Sequence, residues 1–220
     1  MITGVIFDLD GTLVDSTGYW DRAPELFLRE MGRNPPPGIG QRLFTMTVPE
    51  AAAYLQKEYG LEQTPDEIVQ GVNSAMKELY LSVIPLKEGV EAGIRKLAGM
   101  GIPMAVATVT DRELTCAVLE RFGLDTFIKC IVTTSDVGVG KQAPDVYLRA
   151  AEEIGSRPEN TLVFEDSLHA LLTAGKAGFR TVGVYDELSA AGQEEIRRSS
   201  SFYLRSFLEM ERIPEIGNPA

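Results

Sequence analysis

Continuous apolar runs separated by segments of helical periodicity dominate the second half of the chain. The runs are Pro103 to Ala107, Ile131-Val132, Leu162 to Phe164 and Thr181 to Val184. Unbroken runs of this kind are typical of strands buried on both faces of a parallel sheet. The segments between them repeat apolar residues every three or four positions, as the buried face of a helix does. The pattern predicts an α/β fold with a mostly parallel, Rossmann-like sheet in a three-layer arrangement.

The first strand is separated from the others by a long helical segment. Val5-Ile6-Phe7 is an equally apolar run, but no convincing strand pattern follows it between residues 18 and 82. The alternation of strands and helices returns only after Pro85. We therefore expect an α/β core domain from residues 1–15 and 86–220, with an all-helical domain inserted at 16–85.

Several helix starts are marked by capping boxes, in which a threonine precedes a glutamate by three positions. Thr47-Val-Pro-Glu50 and Thr64-Pro-Asp-Glu67 predict two helices of the inserted domain, each with proline in its first turn. Thr110-Asp-Arg-Glu113 predicts a capped helix in the α/β part. An exposed helix is expected from Ala190 to Arg198, with a short apolar stretch following at Phe202 to Leu204.

The composition is that of a globular protein with a strong acidic bias. The chain has 220 residues, is 44% hydrophobic and carries a formal net charge of −11, with a pI of about 4.7. Such a charge repels nucleic acid and anionic membranes, so we expect neither as a partner. A phosphate-bearing substrate would need a local metal ion or lysine to bind.

The expected setting is the reducing cytoplasm. Cys116 and Cys130 are the only cysteines and provide no disulfide framework and no CxxC metal pattern. The amino terminus enters a strand almost at once, which leaves no room for a signal peptide. No apolar stretch approaches the roughly 20 residues that span a bilayer. The sequence leaves the oligomeric state undecided.

Two carboxylates at the end of the first strand are the strongest chemical signal. Asp8 and Asp10 follow the Val5 to Phe7 run directly, and Gly11 then breaks the regular structure. A buried carboxylate without a partner costs several kcal/mol, roughly, so packing does not explain the pair. Ligands bind open α/β sheets in the crevice beyond the strand ends, where these acids would lie.

Polar residues also occur at the carboxyl ends of the other predicted strands or in the loops that follow them. The second core strand runs into Thr108-Val109-Thr110, the loop after the third contains Lys141, and the fourth ends in Glu165-Asp166. Because parallel strands all open on one edge of the sheet, these groups are expected to converge with Asp8.

The converging groups suit phosphoryl transfer. A carboxylate at Asp8 can attack phosphorus and form an aspartyl-phosphate. Mg²⁺ takes oxygen ligands and usually binds one or two carboxylates, which Asp8 and Asp166 would supply. Thr108 and Lys141 would hold the phosphoryl oxygens. Asp10 is placed to protonate the leaving oxygen and then to activate water.

These residues resemble the four motifs of the haloacid dehalogenase (HAD) superfamily. Asp8-Leu-Asp10-Gly-Thr12 is the most specific of them, and the early helical insertion resembles the phosphatase and β-phosphoglucomutase-like branch. The resemblance implies Asp8 as nucleophile and Asp10 as general acid and base. It also implies phosphate contacts from Thr108, Val109 and Lys141. Mg²⁺ is implied at Asp8, the Asp10 main-chain carbonyl and Asp166, with Glu165 in or next to the coordination sphere.

The resemblance further implies that the inserted domain is a cap that selects the substrate. Asp15 and Trp20 are the candidate substrate contacts near it. Mutases of the branch carry a cap histidine and a cap arginine, but here the histidine position is Trp20 and the arginine region is Thr45 to Pro49. Gln142 stands where the family commonly has proline after the lysine.

The sequence thus predicts a Mg²⁺-dependent phosphatase acting on a small phosphorylated metabolite, such as a sugar phosphate. One alternative is a sugar-phosphate mutase of the β-phosphoglucomutase type. The other is a non-catalytic binding or regulatory module on the same fold, against which the complete set of acids argues.

Overall fold

A computed structural model describes residues 2–43, 46–187 and 192–217. The chain divides into two compact units. One combines Met1–Asp15 with Pro85–Ala220, and the other is the contiguous segment Ser16–Ile84.

Every regular element among the described residues of the Ser16–Ile84 unit is a helix. Its helices are α1 (Thr17–Trp20), α2 (Ala23–Glu30), α3 (Ile39–Leu43), α4 (Val48–Tyr59) and α5 (Pro65–Ser82). Both predicted capping boxes are confirmed, since the Thr47 and Thr64 amides donate to the Glu50 and Glu67 carboxylates at 2.8 and 2.7 Å. The helices pack around buried apolar residues that include Phe27, Leu28, Leu55 and Ile68.

The other unit is built on a six-stranded sheet in which every pairing is parallel. Its strands are β1 (Gly4–Phe7), β2 (Met104–Thr108), β3 (Ile128–Thr133), β4 (Thr161–Glu165), β5 (Arg180–Val184) and β6 (Phe202–Leu204). Their order is β3-β2-β1-β4-β5-β6. The earliest strand in the chain therefore lies between two strands that are made about a hundred residues or more later.

Helices cover both faces of this sheet, which confirms the predicted α/β class. They are α6 (Val90–Gly99), α7 (Arg112–Arg121), α8 (Thr134–Val137), α9 (Asp145–Ile154), α10 (Leu168–Lys176), α11 (Gln193–Ser199) and α12 (Pro214–Gly217). On one face α9 and α10 bury their apolar residues against Ile6 and Val163. On the other, Phe207 from a 3-10 helix packs on Phe7 and Phe164, with ring centroids 6.1 and 5.5 Å apart.

Two expectations in the α/β unit were wrong in detail. Helix α7 begins at Arg112 with Asp111 as its N-cap, so Thr110 is not the capping residue; its hydroxyl donates to Asp10 instead. The expected start of the next helix at Ala190 lies outside the described residues, and the helix is described as Gln193–Ser199 with Gly192 as its N-cap. It is also not fully exposed, since Gln193 and Ile196 are buried. Among the described helices, none combines the length and apolarity that crossing a membrane requires.

Candidate active site

Strand pairing brings the first and fourth strand ends to the same level of the sheet. Phe7 pairs with Phe164 in register, and the Asp8 amide donates to the Phe164 carbonyl at 3.0 Å. Asp8 and Glu165 are therefore the next residues on two neighbouring strands, and Asp166 follows. All three side chains are buried, so the strand-end residues picked out by pattern do lie together.

Lys141 lies between these acids. Its ammonium donates to Oδ1 of Asp8 and to Oε1 of Glu165 at 2.5 Å. The lysine is only 9% exposed although it belongs to the loop after β3. A buried ammonium is expensive without counter-charges, and here two carboxylates supply them.

The carboxylates outnumber the cation at this point. One oxygen from each of Asp8, Glu165 and Asp166 can be chosen so that all lie within 4.8 Å of one another. Three carboxylates against one lysine leave an excess of negative charge in a buried space. Oxygen donors in such a cluster match what Mg²⁺ prefers, so the donor set fits the metal ion that the sequence predicts.

The ionisation of these groups reflects crowding and burial. Burial, opposed by Lys141, raises the pKa of Asp8 well above its usual range. Burial, with the added charges of Glu165 and Asp186, raises the pKa of Asp166 to about 8. Burial alone would lower the pKa of Lys141, but Asp8 and Glu165 outweigh it and raise that pKa above its usual value. Lys141 therefore stays charged, and a further cation would stabilise the ionised forms of Asp8 and Asp166.

Tyr147 from α9 is a contact that the sequence pattern did not single out. Its hydroxyl donates to Oε1 of Glu165 at 2.6 Å, and its ring centroid lies 5.6 Å from the Lys141 ammonium. Burial, reinforced by Glu165, raises the pKa of Tyr147 above its usual value, so the phenol keeps its proton and remains a donor. In the sequence it is simply one of the apolar-spaced residues of a helix.

Asp10 is oriented by a residue on the neighbouring strand end. The Thr110 hydroxyl donates to Oδ2 of Asp10 at 2.6 Å. The Thr110 amide in turn donates to the Thr108 hydroxyl at 3.0 Å. Thr108 and Thr110 thus form one hydrogen-bonded turn beside the expected acid-base residue, and only the first of them was predicted to serve the site.

The remaining predicted residues lie at the surface of their own units. Val109 is 61% exposed, which leaves its main chain rather than its side chain as the group suited to a phosphate. Asp15 is exposed in the α/β unit. Trp20 is 38% exposed in the helical unit.

Comparison with known proteins gives a consistent answer over most of the chain. Residues 5–184 match the family described as haloacid dehalogenase-like hydrolase. A phosphoglycolate phosphatase from Neisseria meningitidis is 29% identical over 90% of this chain and 87% of its own length. A phosphorylated carbohydrates phosphatase from Thermotoga maritima is 25% identical, covering 84% of this chain and 86% of that protein.

The fold is also shared with solved structures. That of a β-phosphoglucomutase from Clostridium difficile superposes with a TM-score of 0.70, covering 99% of this chain and 98% of that one. The two sequences are 18% identical, so this likeness shows a common fold and leaves the reaction to the site.

Proposed function

Because the chain belongs to the haloacid dehalogenase-like hydrolase family and is a phosphoric monoester hydrolase, we propose that it is a Mg²⁺-dependent phosphatase working through an aspartyl-phosphate on Asp8. The observation that carries the proposal is the contact of the Lys141 ammonium with Asp8 inside a buried group of three carboxylates. A surface ion pair would not explain why so many charges are buried at one strand edge.

Asp8 is the proposed nucleophile. A carboxylate oxygen attacks phosphorus, the ester P–O bond breaks, and Asp10 gives its proton to the departing alcohol oxygen. Asp10, now ionised, takes a proton from water, which attacks the phosphorus of the acyl phosphate. Phosphate leaves and Asp8 is restored as a carboxylate. The Thr110 hydroxyl bond to Asp10 supports this assignment, because a proton carrier must be held in position.

Lys141 and Thr108 are the proposed phosphate contacts. The phosphoryl group carries negative charge on three oxygens during transfer, and fixed donors aimed at them lower the barrier. Lys141 keeps its charge because Asp8 and Glu165 outweigh the effect of burial and raise its pKa. The buried Thr108 hydroxyl and the Val109 main-chain amide are the further proposed phosphate contacts.

Asp8, Asp166 and the Asp10 main-chain carbonyl would hold Mg²⁺, with Glu165 in or next to the coordination sphere. The burial and mutual proximity of the three carboxylates support this set. When bound, the ion would neutralise charge between the carboxylates and the phosphoryl oxygens.

The proposed substrate is a small phosphorylated metabolite. Relatives named for phosphoglycolate and phosphorylated carbohydrates support this class. We propose that the helical unit Ser16–Ile84 acts as the cap that selects among such molecules, with Asp15 and Trp20 as the first residues to vary.

The test is a panel of phosphorylated metabolites assayed for phosphate release with Mg²⁺ and with EDTA. We expect Mg²⁺-dependent turnover that Asp8→Asn abolishes, while Asp125→Asn, an exposed acid on the same unit, turns over normally. Acid-quenched enzyme should carry phosphate on Asp8. A hexose 1-phosphate converted to its isomer without free phosphate would instead establish a mutase. Wild-type activity in Asp8→Asn would overturn the aspartyl-phosphate mechanism on Asp8.

A further inference from the structure

Lys87 forms a partly buried junction beside the turn that follows Asp10. Its ammonium donates to the Gly11 carbonyl at 2.8 Å, to the Tyr185 carbonyl at 2.7 Å and to Oδ2 of Asp186 at 2.8 Å. An ammonium has three donors, and all three are used. The lysine side chain is 14% exposed and that of Asp186 is 1% exposed. Such a group is a fixed part of the structure rather than a solvated surface charge.

The Lys87 segment also holds the turn after Asp10 through its main chain. The Lys87 amide donates to the Leu13 carbonyl at 2.9 Å, and the Asp15 amide donates to the Pro85 carbonyl at 3.0 Å. Within the turn, the Gly11 amide donates to the Val14 carbonyl at 2.9 Å. The segment from Gly11 to Asp15 is therefore fixed at several points, and the Lys87 ammonium is the side-chain donor among them.

The other side of the junction is itself anchored. The Gln193 side-chain amide donates to the Asp186 carbonyl at 3.1 Å, and the Tyr203 hydroxyl donates to Gln193 at 2.8 Å. The ammonium thus connects the Gly11–Thr12 peptide to a segment that α11 and β6 hold in place. Lys87 can restrain the Gly11 carbonyl only if the Tyr185–Asp186 segment is itself fixed, and the Gln193 and Tyr203 hydrogen bonds fix it.

We propose that Lys87 is a positioning residue for Asp10, holding the Gly11 carbonyl so that the Asp10 carboxyl stays where the leaving oxygen departs. This rests on the proposed function, in which Asp10 is the general acid. Proton transfer demands hydrogen-bond reach, and a displacement of about 1 Å can cost roughly a hundredfold in rate. Gly11 has a φ of +77°, a conformation that glycine adopts freely, so the residue itself does little to restrain this peptide.

The test uses leaving groups that differ in their need for an acid. Lys87→Met is combined with Asp186→Asn, so that no buried carboxylate loses its cation. With saturating Mg²⁺, we expect kcat/KM for an alkyl phosphate to fall about 10- to 100-fold. The value for p-nitrophenyl phosphate, whose leaving group needs no proton, should change little. Asp186→Asn alone keeps the Lys87 bond to Gly11 and should leave the ratio of the two kcat/KM values unchanged.

Asp10→Asn separates the acid role of Asp10 from the positioning role of Lys87. It should show the same selective loss, and adding the Lys87 substitution to it should change the ratio no further. If Asp10→Asn affects both substrates equally, the proposed acid role fails. If Asp10→Asn is selective and the Lys87 variant is not, only the positioning role is overturned. Should the Met variant not fold, as judged by circular dichroism, Lys87→Gln with Asp186→Asn provides the same comparison.

Discussion

The Thr110 hydroxyl donates a 2.6 Å hydrogen bond to Oδ2 of Asp10, a residue 100 positions earlier in the chain. Adjacent parallel strands make this possible, because β1 and β2 pair in register and end at the same edge. One carboxylate oxygen of Asp10 is thereby assigned a fixed direction, and Thr110 becomes part of the proposed proton-transfer apparatus.

Thr110→Val should lower kcat about 10-fold with little change in KM. Valine matches threonine in shape but cannot donate, so Asp10 loses an orienting bond while substrate contacts remain. Steady-state kinetics on the best substrate of the panel measure the effect. Thr173→Val, which removes a hydroxyl that donates to a helix carbonyl on α10, is the matched control. A rise in KM at constant kcat would place Thr110 in substrate binding instead.

Tyr147→Phe should weaken Mg²⁺ binding about 10- to 100-fold, the range found when groups that orient metal ligands are removed. The substitution deletes the donor to Glu165 and keeps the ring that lies near Lys141. Calorimetric titration of the metal, supported by the Mg²⁺ dependence of activity, gives the measurement. Tyr59→Phe in the helical unit serves as the control. Equal Mg²⁺ affinities in the wild type, Tyr147→Phe and Tyr59→Phe would show that the Tyr147 hydrogen bond to Glu165 does not affect metal binding.

The metal-free protein should lose stability as pH rises towards 8. A carboxyl whose folded-state pKa is raised keeps its proton in the folded protein at pH values where the unfolded chain has already ionised, so the folded state loses stability between the unfolded and the folded pKa and the loss is complete above the folded pKa. For Asp166 this window runs from about 8 down to its ordinary value of 3.8. Asp8 acts in the same direction.

Mg²⁺ should therefore raise the melting temperature more at pH 9 than at pH 6, since protons compete with it for the same carboxylates. Thermal melts in EDTA and in Mg²⁺ across this range measure the difference. Asp166→Asn should flatten the pH dependence in EDTA. A metal-free protein whose melting temperature is highest at pH 9 would contradict the assigned direction of the Asp166 shift.

Gly71→Ala should destabilise the protein by about 1–3 kcal/mol, despite the better helix propensity of alanine. A Cβ at Gly71 on α5 would lie 2.2 Å from the Phe27 ring, which is buried in the helical unit. At Gly175 on α10 the nearest atom is Thr181 Cγ2, at 3.9 Å. Gly175→Ala should therefore stabilise by about 0.5–1 kcal/mol. Urea unfolding compares the two, and stabilisation by both would mean that Phe27 yields easily.

The sequence predicts features that depend on a few consecutive residues or on the ends of parallel strands. The capping boxes at Thr47 and Thr64 can be recognised from four consecutive residues each. Lys141 and Asp166 were found because parallel strands must open on one edge.

The residues that the sequence did not single out for the site lie in patterns that favour a purely structural or solvated role. Thr110 occupies a plausible cap position, but its hydroxyl donates to Asp10, which is 100 residues earlier in the chain. Tyr147 follows the apolar periodicity of α9, which hides the use of its hydroxyl. Lys87 lies in a connecting segment, where a lysine is ordinarily solvated, and its carboxylate partner Asp186 is 99 residues later in the chain. β6 has only three residues, too few for a periodicity to show.

The place of β1 in the sheet has a consequence for biosynthesis. β1 leaves the ribosome before both of its neighbours, since β2 and β4 are completed only at Thr108 and Glu165. The helical unit is contiguous and has its whole sequence available long before that point. Since pairing between segments far apart in sequence is slow, the newly made Val5-Ile6-Phe7 segment has to wait with its apolar side chains uncovered. A nascent chain arrested before β4 would thus expose the apolar segment Val5-Ile6-Phe7 to binding by chaperones.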